Sequence, residues 1–480
     1  MLYAAEVWLT PTYDVPGKSR RHGSVGAVQR LSRVQRQAAL LITGAMRTTA
    51  TDTLDAHANL LPFDLLVDRV TIQAATRLLT LPTSHPLYDR VQNARVPVTR
   101  HKSPLHELTQ ALRFDRCRNV EQVQATRQPP GWRPAHKTEI AANKDEAEES
   151  DREWQEKNIP AVYTDGSEID GGVGASAVLY IPDDPQPRVL RYYLGTAKRH
   201  TVYEGEIVGL IMGVELLIRL ATHVLDQTSC AADNTPCLRA SQTRSRQPGH
   251  YLIDALHQAI DRLCTTHPTA TLTLRWVPGH RGIDGNEHAD EEAKKAARGD
   301  SSPLGDLPEY LRTPLPASIS ALRRHLLDQV KTAASQRWKE SPCHAALSRI
   351  DPDMPSRKFS KLVAPLPRRH ASLLIQMRTG HAPLNHHLHR IRRSDTDRCP
   401  ACHERRETVR HYLLECPEYK PQRDWLRREI GRRAGSLQHL LSKPDTIRPL
   451  FRFIHATGRF ASTFGELDLP RNADGTDNPP

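Results

Sequence analysis

Aromatic residues are scarce in this chain: Phe, Trp and Tyr make up 5% of its 480 residues, and hydrophobic residues of all kinds 38%. No apolar run approaches the roughly 20 residues that a bilayer-spanning helix requires, so no membrane partner is expected. The opening MLYAAEVWLTPTYD lacks the basic start and apolar stretch of a secretory signal. Cysteine is sparse as well. Of eight, Cys117, Cys230, Cys237, Cys264 and Cys343 are scattered and three crowd into one short cluster. That distribution argues against a disulfide-stapled secreted scaffold and fits a reducing intracellular compartment, nuclear or cytoplasmic. There is no acidic excess: 67 Lys and Arg outnumber 55 Asp and Glu, a formal net charge of +12. Basic surfaces also serve solubility, but this balance favours a polyanionic partner, nucleic acid first.

What is present divides the chain into stretches of different texture. Residues 25–81 carry apolar residues at helical spacing, so 1–126 is expected to be helical. Residues 127–157 contain prolines and then dense charge, which reads as a linker or a solvated helix. From 158 to 299 the order is strand, strand, strand, helix, strand, helix, strand, helix, the grammar of an α/β domain with a mixed sheet. VGASAVLYI and RVLRYYLGT are strand-like, VYEGEIVGLIMGVELLIRLA reads as a strong amphipathic helix, and TATLTLRWV alternates before Pro278. Residues 300–367 read as a proline-punctuated helical linker, 368–430 as a basic segment rich in His and Arg, and 431–480 as a tail with a disordered end.

Four acids of the α/β stretch stand at element ends. Asp165 follows an apolar strand, Glu206 opens the long helix, Asp233 ends TSCAAD, and Asp290 lies in GNEHADEEAKKAA. Any one of them alone is more often a cap or a turn residue. Four together are harder to dismiss, because α/β sheets place their chemistry at such ends. Convergent carboxylates cannot all ionise without a counter-charge. Magnesium or manganese supplies one, and two such ions about 4 Å apart clamp both the attacking and the leaving oxygen of a phosphodiester.

YTDGS, YEGEIVGLIMGVE, ADN and WVPGHRGIDGNEHAD, in that order, resemble the successive motifs of type 1 ribonuclease H. The resemblance implies a mixed five-stranded sheet with helices and hydrolysis of the RNA strand of RNA–DNA hybrids by two-metal catalysis. It implies Asp165, Glu206, Asp233 and Asp290 as the metal-binding acids, and His280 as a loop histidine aiding proton transfer and product release. Glu204 lies two residues from Glu206, and helical geometry does not separate them. The family spacing, an acid nine residues before Glu215, selects Glu206. Choice of RNA must rest on the 2′-hydroxyl, with Gly166, Ser167 and Asn234 as candidate contacts. The run Cys-Ala-Ala before Asp233 is smaller than usual for such a strand, and looser packing is expected there. An inactive nucleic-acid-binding remnant is the alternative; survival of all four acids favours the enzyme.

CPACHERRETVRHYLLEC offers Cys399, Cys402, His411 and Cys416, a set that suits one tetrahedral structural zinc with no open position. His403 is a competing ligand, strained by its place beside Cys402. RTGHAPLNHHLHRI with this cluster is similar to the zinc-binding region that follows ribonuclease H in LINE-type (non-LTR) retrotransposon polyproteins. VQRQAALLITGAMRTTATDTLDAHANLLPFDLLVDR is similar to the region after their polymerase palm, so 1–126 reads as a helical remnant of a reverse transcriptase C-terminal region. This sequence contains no Tyr-x-Asp-Asp polymerase motif.

Overall fold

The computed structural model describes residues 8–14, 17, 19–96, 104–111, 119–124, 131–220, 226–243 and 245–469. It divides into two compact units, one drawn from residues 11–70 and 329–480 and the other from residues 6–10 and 71–328. Each is described by itself. Among the described residues no helix is long and apolar enough to cross a membrane.

The second unit is built on a six-stranded sheet in the order β1-β6-β5-β2-β3-β4. Its strands are β1 (Lys137–Glu139), β2 (Ala161–Ile169), β3 (Gly172–Tyr180), β4 (Arg188–Thr196), β5 (Gln227–Ala232) and β6 (Thr271–Trp276). β2, β3 and β4 are antiparallel neighbours, and β5, β6 and β1 add in parallel beyond β2. The sheet is thus mixed, with one strand more than the five expected. The helices are α1 (Lys144–Glu156), α2 (Val202–Ile218), α3 (Thr235–Ser241), α4 (His250–Thr266) and α5 (Asp284–Ala297).

α2 is apolar around its whole circumference and is buried from Glu204 to Leu217. It reaches β2 and β3 through Gly205, Gly209 and Gly213, spaced four apart on one face. A Cβ on these residues would stand 2.9 Å from Gly174 O, Ser176 O and Val162 Cγ1 respectively. At Gly213 the next neighbour is Cys230 Sγ. The small run Cys230-Ala231-Ala232 is therefore fully buried rather than loosely packed: its short side chains match a helix lying unusually close.

Two stretches, one read as a linker or solvated helix and the other as a helical linker, belong at least in part to this unit. Residues 137–156, within the expected linker 127–157, form β1 and α1. The signal missed was amphipathicity, which brings Ala147, Asp151 and Trp154 of α1 to one buried face. Asp151 forms an ion pair with Arg275 of β6, and both side chains are almost wholly buried. Tyr163 of β2 donates its hydroxyl to Asp151 (2.9 Å), and Arg275 Nε donates to Ser229 Oγ (3.0 Å). In 300–319, Leu307, Leu311 and Leu315 join the main core. Ser301 and Ser302 accept the backbone N–H of Tyr193 and Arg191, closing the free edge of β4.

The first unit is helical. Val25–Thr43, Thr51–Ala58 and the start of Phe63–Leu79 pack with a C-terminal array. Residues 431–469, read as a tail, contribute Leu437–Ser442 and Pro444–Thr457, whose Leu440, Leu441, Leu450, Phe451 and Phe453 are completely buried. The expected disordered end, 470–480, lies outside the described residues. Arg378 is the buried hub. It donates to Asp351 (2.8 Å), Leu441 O (2.8 Å) and His57 Nε2 (3.2 Å). His57 Nδ1 bonds Thr53 O at 2.8 Å, and burial together with the Arg378 charge holds its imidazole down at about 3.

Two outcomes are expected. Asp151→Ala leaves Arg275 buried and unpaired, and urea unfolding should show a loss of about 3–5 kcal/mol; a loss below 1 kcal/mol would show the pair to be dispensable. His57 stays neutral when folded but protonates near 6.5 when unfolded. Its contribution is present above that pH and fades as pH falls toward 3, on the order of 1 kcal/mol per pH unit. Between pH 7 and 5, His57→Gln should lose stability less steeply than wild type; parallel curves would contradict this.

Candidate active site and metal centres

Parallel register places the first two acids. Thr164 of β2 pairs with Ala232 of β5, so the next residues emerge side by side: Asp165, in the middle of β2 rather than at the expected strand end, and Asp233, just past the end of β5. Glu206 arrives from α2 directly above β2: a Cβ on Gly166 would lie 2.5 Å from Glu206 N. One carboxylate oxygen from each of Asp165, Glu206 and Asp233 lies within 4.8 Å of the others. Asp290, on α5, is not part of that trio; it accepts from Lys294 one turn on. Its charge nevertheless reaches both Asp165 and Asp233.

The electrostatics are those of a site lacking a counter-charge. Burial, then Asp233 and Asp290, push Asp165 up to about 8. Burial, then Asp165 and Asp233, hold Glu206 well above the carboxylate range. Burial raises Asp233 too, opposed by His280. Glu206 Oε1 accepts from Asn234 Nδ2 at 3.5 Å, while its Oε2 is buried with no hydrogen-bond partner. Clustered carboxylates with an orphaned oxygen suit a hard divalent cation, which takes oxygen ligands and relieves the repulsion.

Glu204 is separated from Glu206 by its partners. It closes the capping box of α2, taking Thr201 N at 2.8 Å and Tyr251 Oη at 3.1 Å. Glu215 pairs with Arg219 and Arg262 at 3.1 and 3.0 Å. His280 is exposed in the turn after β6, with a positive φ of 58°. The preceding Gly279 presses against Asp233, where a Cβ would meet Oδ2 at 2.6 Å. Asn234 caps α3 by accepting Cys237 N, so its side chain braces both that helix and Glu206. Ser167 is half-buried on β2, and Gly166 serves the close approach of α2. The buried Asp151–Arg275–Tyr163 network lies two residues from Asp165 along β2. An acid in a charged run and an arginine in a strand gave no sequence signal that they would meet.

In the first unit, donor atoms of Cys399, Cys402, His411 and Cys416 all lie within 4.8 Å of one another. Cys399 Sγ and Cys416 Sγ are 3.8 Å apart, and Cys402 Sγ and His411 Nε2 3.4 Å. Zn–S bonds of about 2.3 Å put neighbouring tetrahedral sulfurs roughly 3.8 Å apart, so the soft donor set fits zinc in type and spacing. A tight turn, with His403 N donating to Cys399 O at 2.8 Å, brings the first two cysteines together. His403 itself is exposed, with a φ of 59°, and is not one of the four. The segment does not stand alone: Cys399, Tyr412, Leu413, Cys416 and Tyr419 share a core with Leu426, Phe451, Phe453 and Phe460.

Residues 157–298 match the family model described as RNase H, and the unit has an RNase H-like fold. Solved structures similar to this chain include the N-terminal RNase H domain of Rv2228c from Mycobacterium tuberculosis, solved as a fusion with maltose-binding protein. It is 20% identical with a TM-score of 0.24, covering 29% of this chain and 94% of that one. RNase H1 from the archaeon Halobacterium salinarum NRC-1 is 18% identical with a TM-score of 0.23, covering 30% and 99%. LC11-RNase H1 in complex with an RNA/DNA hybrid is 19% identical with a TM-score of 0.24, covering 29% and 96%. No curated protein matches the sequence significantly.

The cysteine cluster carries its own expectation. Protein purified under reducing conditions should hold one zinc per chain by mass spectrometry. Cys416→Ser should lose the metal and melt about 10 °C lower, since zinc contributes folding free energy directly. Metal-free wild type, or a variant that keeps both zinc and melting point, would count against the site.

Proposed function

We propose that the domain at 158–299 is a ribonuclease H that hydrolyses the RNA strand of RNA–DNA hybrids with two magnesium or manganese ions. The observation that carries the reading is the three-carboxylate cluster with its orphaned Glu206 oxygen, within a stretch that matches the RNase H family. Asp165, Glu206 and Asp233 would hold the cations, with Asp290 at the margin beside Lys294. Bound there, divalent ions supply an activated water and neutralise charge on the leaving oxygen. Around them the chain's own groups position and screen. Asn234 restrains the Glu206 carboxylate. His280, exposed beside Asp233, can take up or deliver a proton at an imidazole nitrogen. The Ser167 hydroxyl and the backbone near Gly166 would meet a ribose 2′-hydroxyl, the group that distinguishes RNA from DNA. Asn234 stays a candidate contact, although its side chain already has two partners.

The chain as a whole reads as retrotransposon-derived, of the LINE type. Its motifs on either side of the domain support this: RTGHAPLNHHLHRI with the cysteine cluster after it, and the helical 25–81 region before it. Zinc in the cluster would be structural, holding the C-terminal core.

Asp165→Asn tests the assignment. Magnesium-dependent hybrid cleavage should fall about 100-fold or more, the scale of losing one preorganised charged group. Hybrid affinity should change little, because it comes mainly from Lys and Arg on phosphates. In EDTA the melting temperature should hold or rise, since one repelling acid is gone. Cleavage near the wild-type rate would place the chemistry elsewhere.

A further inference from the structure

Two arginines shielded from solvent in the first unit are matched to carboxylates, whereas Arg390 is exposed. Arg378 meets Asp351 at 2.8 Å and Arg459 meets Glu407 at 2.6 and 2.8 Å. Arg390 is held differently. Its Nη2 donates to His381 Nε2 at 2.8 Å and to His387 Nδ1 at 3.1 Å. The two rings stack with centroids 4.4 Å apart and planes at 25°. On their far side the Thr48 hydroxyl lies 3.0 Å from His381 Nδ1 and 3.2 Å from His387 Nε2.

The chemistry of this arrangement is determined. A guanidinium can only donate, so the ring nitrogens facing it must be unprotonated. Each imidazole then carries its proton on the other nitrogen, aimed at the Thr48 oxygen. Burial and the Arg390 charge both lower His381. Burial, then His381 and Arg390, take His387 to about 4. Two neutral rings therefore fix the cation's orientation without cancelling its charge. Among the described residues no carboxylate pairs with Arg390, and no acceptor meets its Nε or Nη1. Arg390 stands at a cavity of about 350 Å³, whose wall includes His386 and the residues Thr408–Arg410 that lead into His411. The one carboxylate on that wall, Glu407, is spent on Arg459 and on the backbone N–H of Asn385.

We propose that Arg390, braced by His381, His387 and Thr48, binds a phosphate of a nucleic-acid backbone, giving the first unit a strand contact separate from the cleavage site. An arginine whose charge is kept while its rotamer is fixed loses little entropy on binding, and charge-assisted hydrogen bonds to phosphate are among the strong ones.

The test is fluorescence anisotropy on the full chain in an Asp165→Asn background, so that binding is read without cleavage. The probes are a labelled 16-mer RNA–DNA hybrid and a single-stranded RNA of the same length. Adding Arg390→Ala should weaken binding about tenfold and shrink the salt slope by about 0.9 on duplex or 0.7 on single strand. Arg390→Gln should do the same, since it can still bond the rings but carries no charge. Arg152→Ala removes equal charge from an exposed helix and should change affinity less than about twofold. Affinity within twofold of the background for both Arg390 variants, or a loss no larger than that of Arg152→Ala, overturns the proposal. Calorimetry with inorganic phosphate separates the sources: Arg390-dependent heat from phosphate alone, with unchanged oligonucleotide binding, overturns the nucleic-acid assignment. Binding and cleavage are read in separate assays, so failure of one reading leaves the other intact.

Discussion

Helix α2 rests on strands β2 and β3 almost without side chains between them, and the candidate active site depends on that contact. Gly205, Gly209 and Gly213 remove the spacing atoms on the helix, and Gly166 removes one on the strand. A single methyl at any of these positions would push against a backbone or a packed side chain, and close-packed interiors transmit such a shift. The shift would carry Glu206 away from Asp165 and Asp233. The same closeness explains the small side chains of β5, which a helix at ordinary distance would leave under-packed.

That contact has an electrostatic cost. It brings carboxylates into a buried space where burial first, and then their mutual repulsion, raises the proton affinities of Asp165 and Glu206. A divalent cation, if bound there as proposed, would relieve that repulsion. On β6, Arg275 meets Asp151 within a buried hydrogen-bonded network. The matched family stretch begins at residue 157, just after the helix that supplies Asp151.

The first unit handles charge in two ways. Arg378 and Arg459 are neutralised by acids and serve packing. Among the described residues no acid neutralises Arg390, which is held by imidazoles. The distinction matters because a buried, paired arginine contributes to structure while an oriented, unpaired one is available to a ligand.

Much of this was legible in the chain itself. Alternation and helical spacing located the α/β stretch, since the core requires those periods wherever one face is buried. The motif order marked Asp165, Glu206, Asp233 and Asp290, and the cysteine spacing marked the four soft donors, because such chemistry constrains residues close in sequence. The sequence could not show that 137–156 completes the sheet, or reveal that 431–469 is core rather than tail. Nor could it pair Asp151 with Arg275, or set Thr48 behind the two imidazoles that hold Arg390, more than 300 residues further along the chain. Each of these rests on residues distant in sequence and adjacent in space, where local pattern carries no register. Composition and spacing determined which chemistries were possible; tertiary packing decided which side chains meet, because only the folded chain sets their distances, burial and partners.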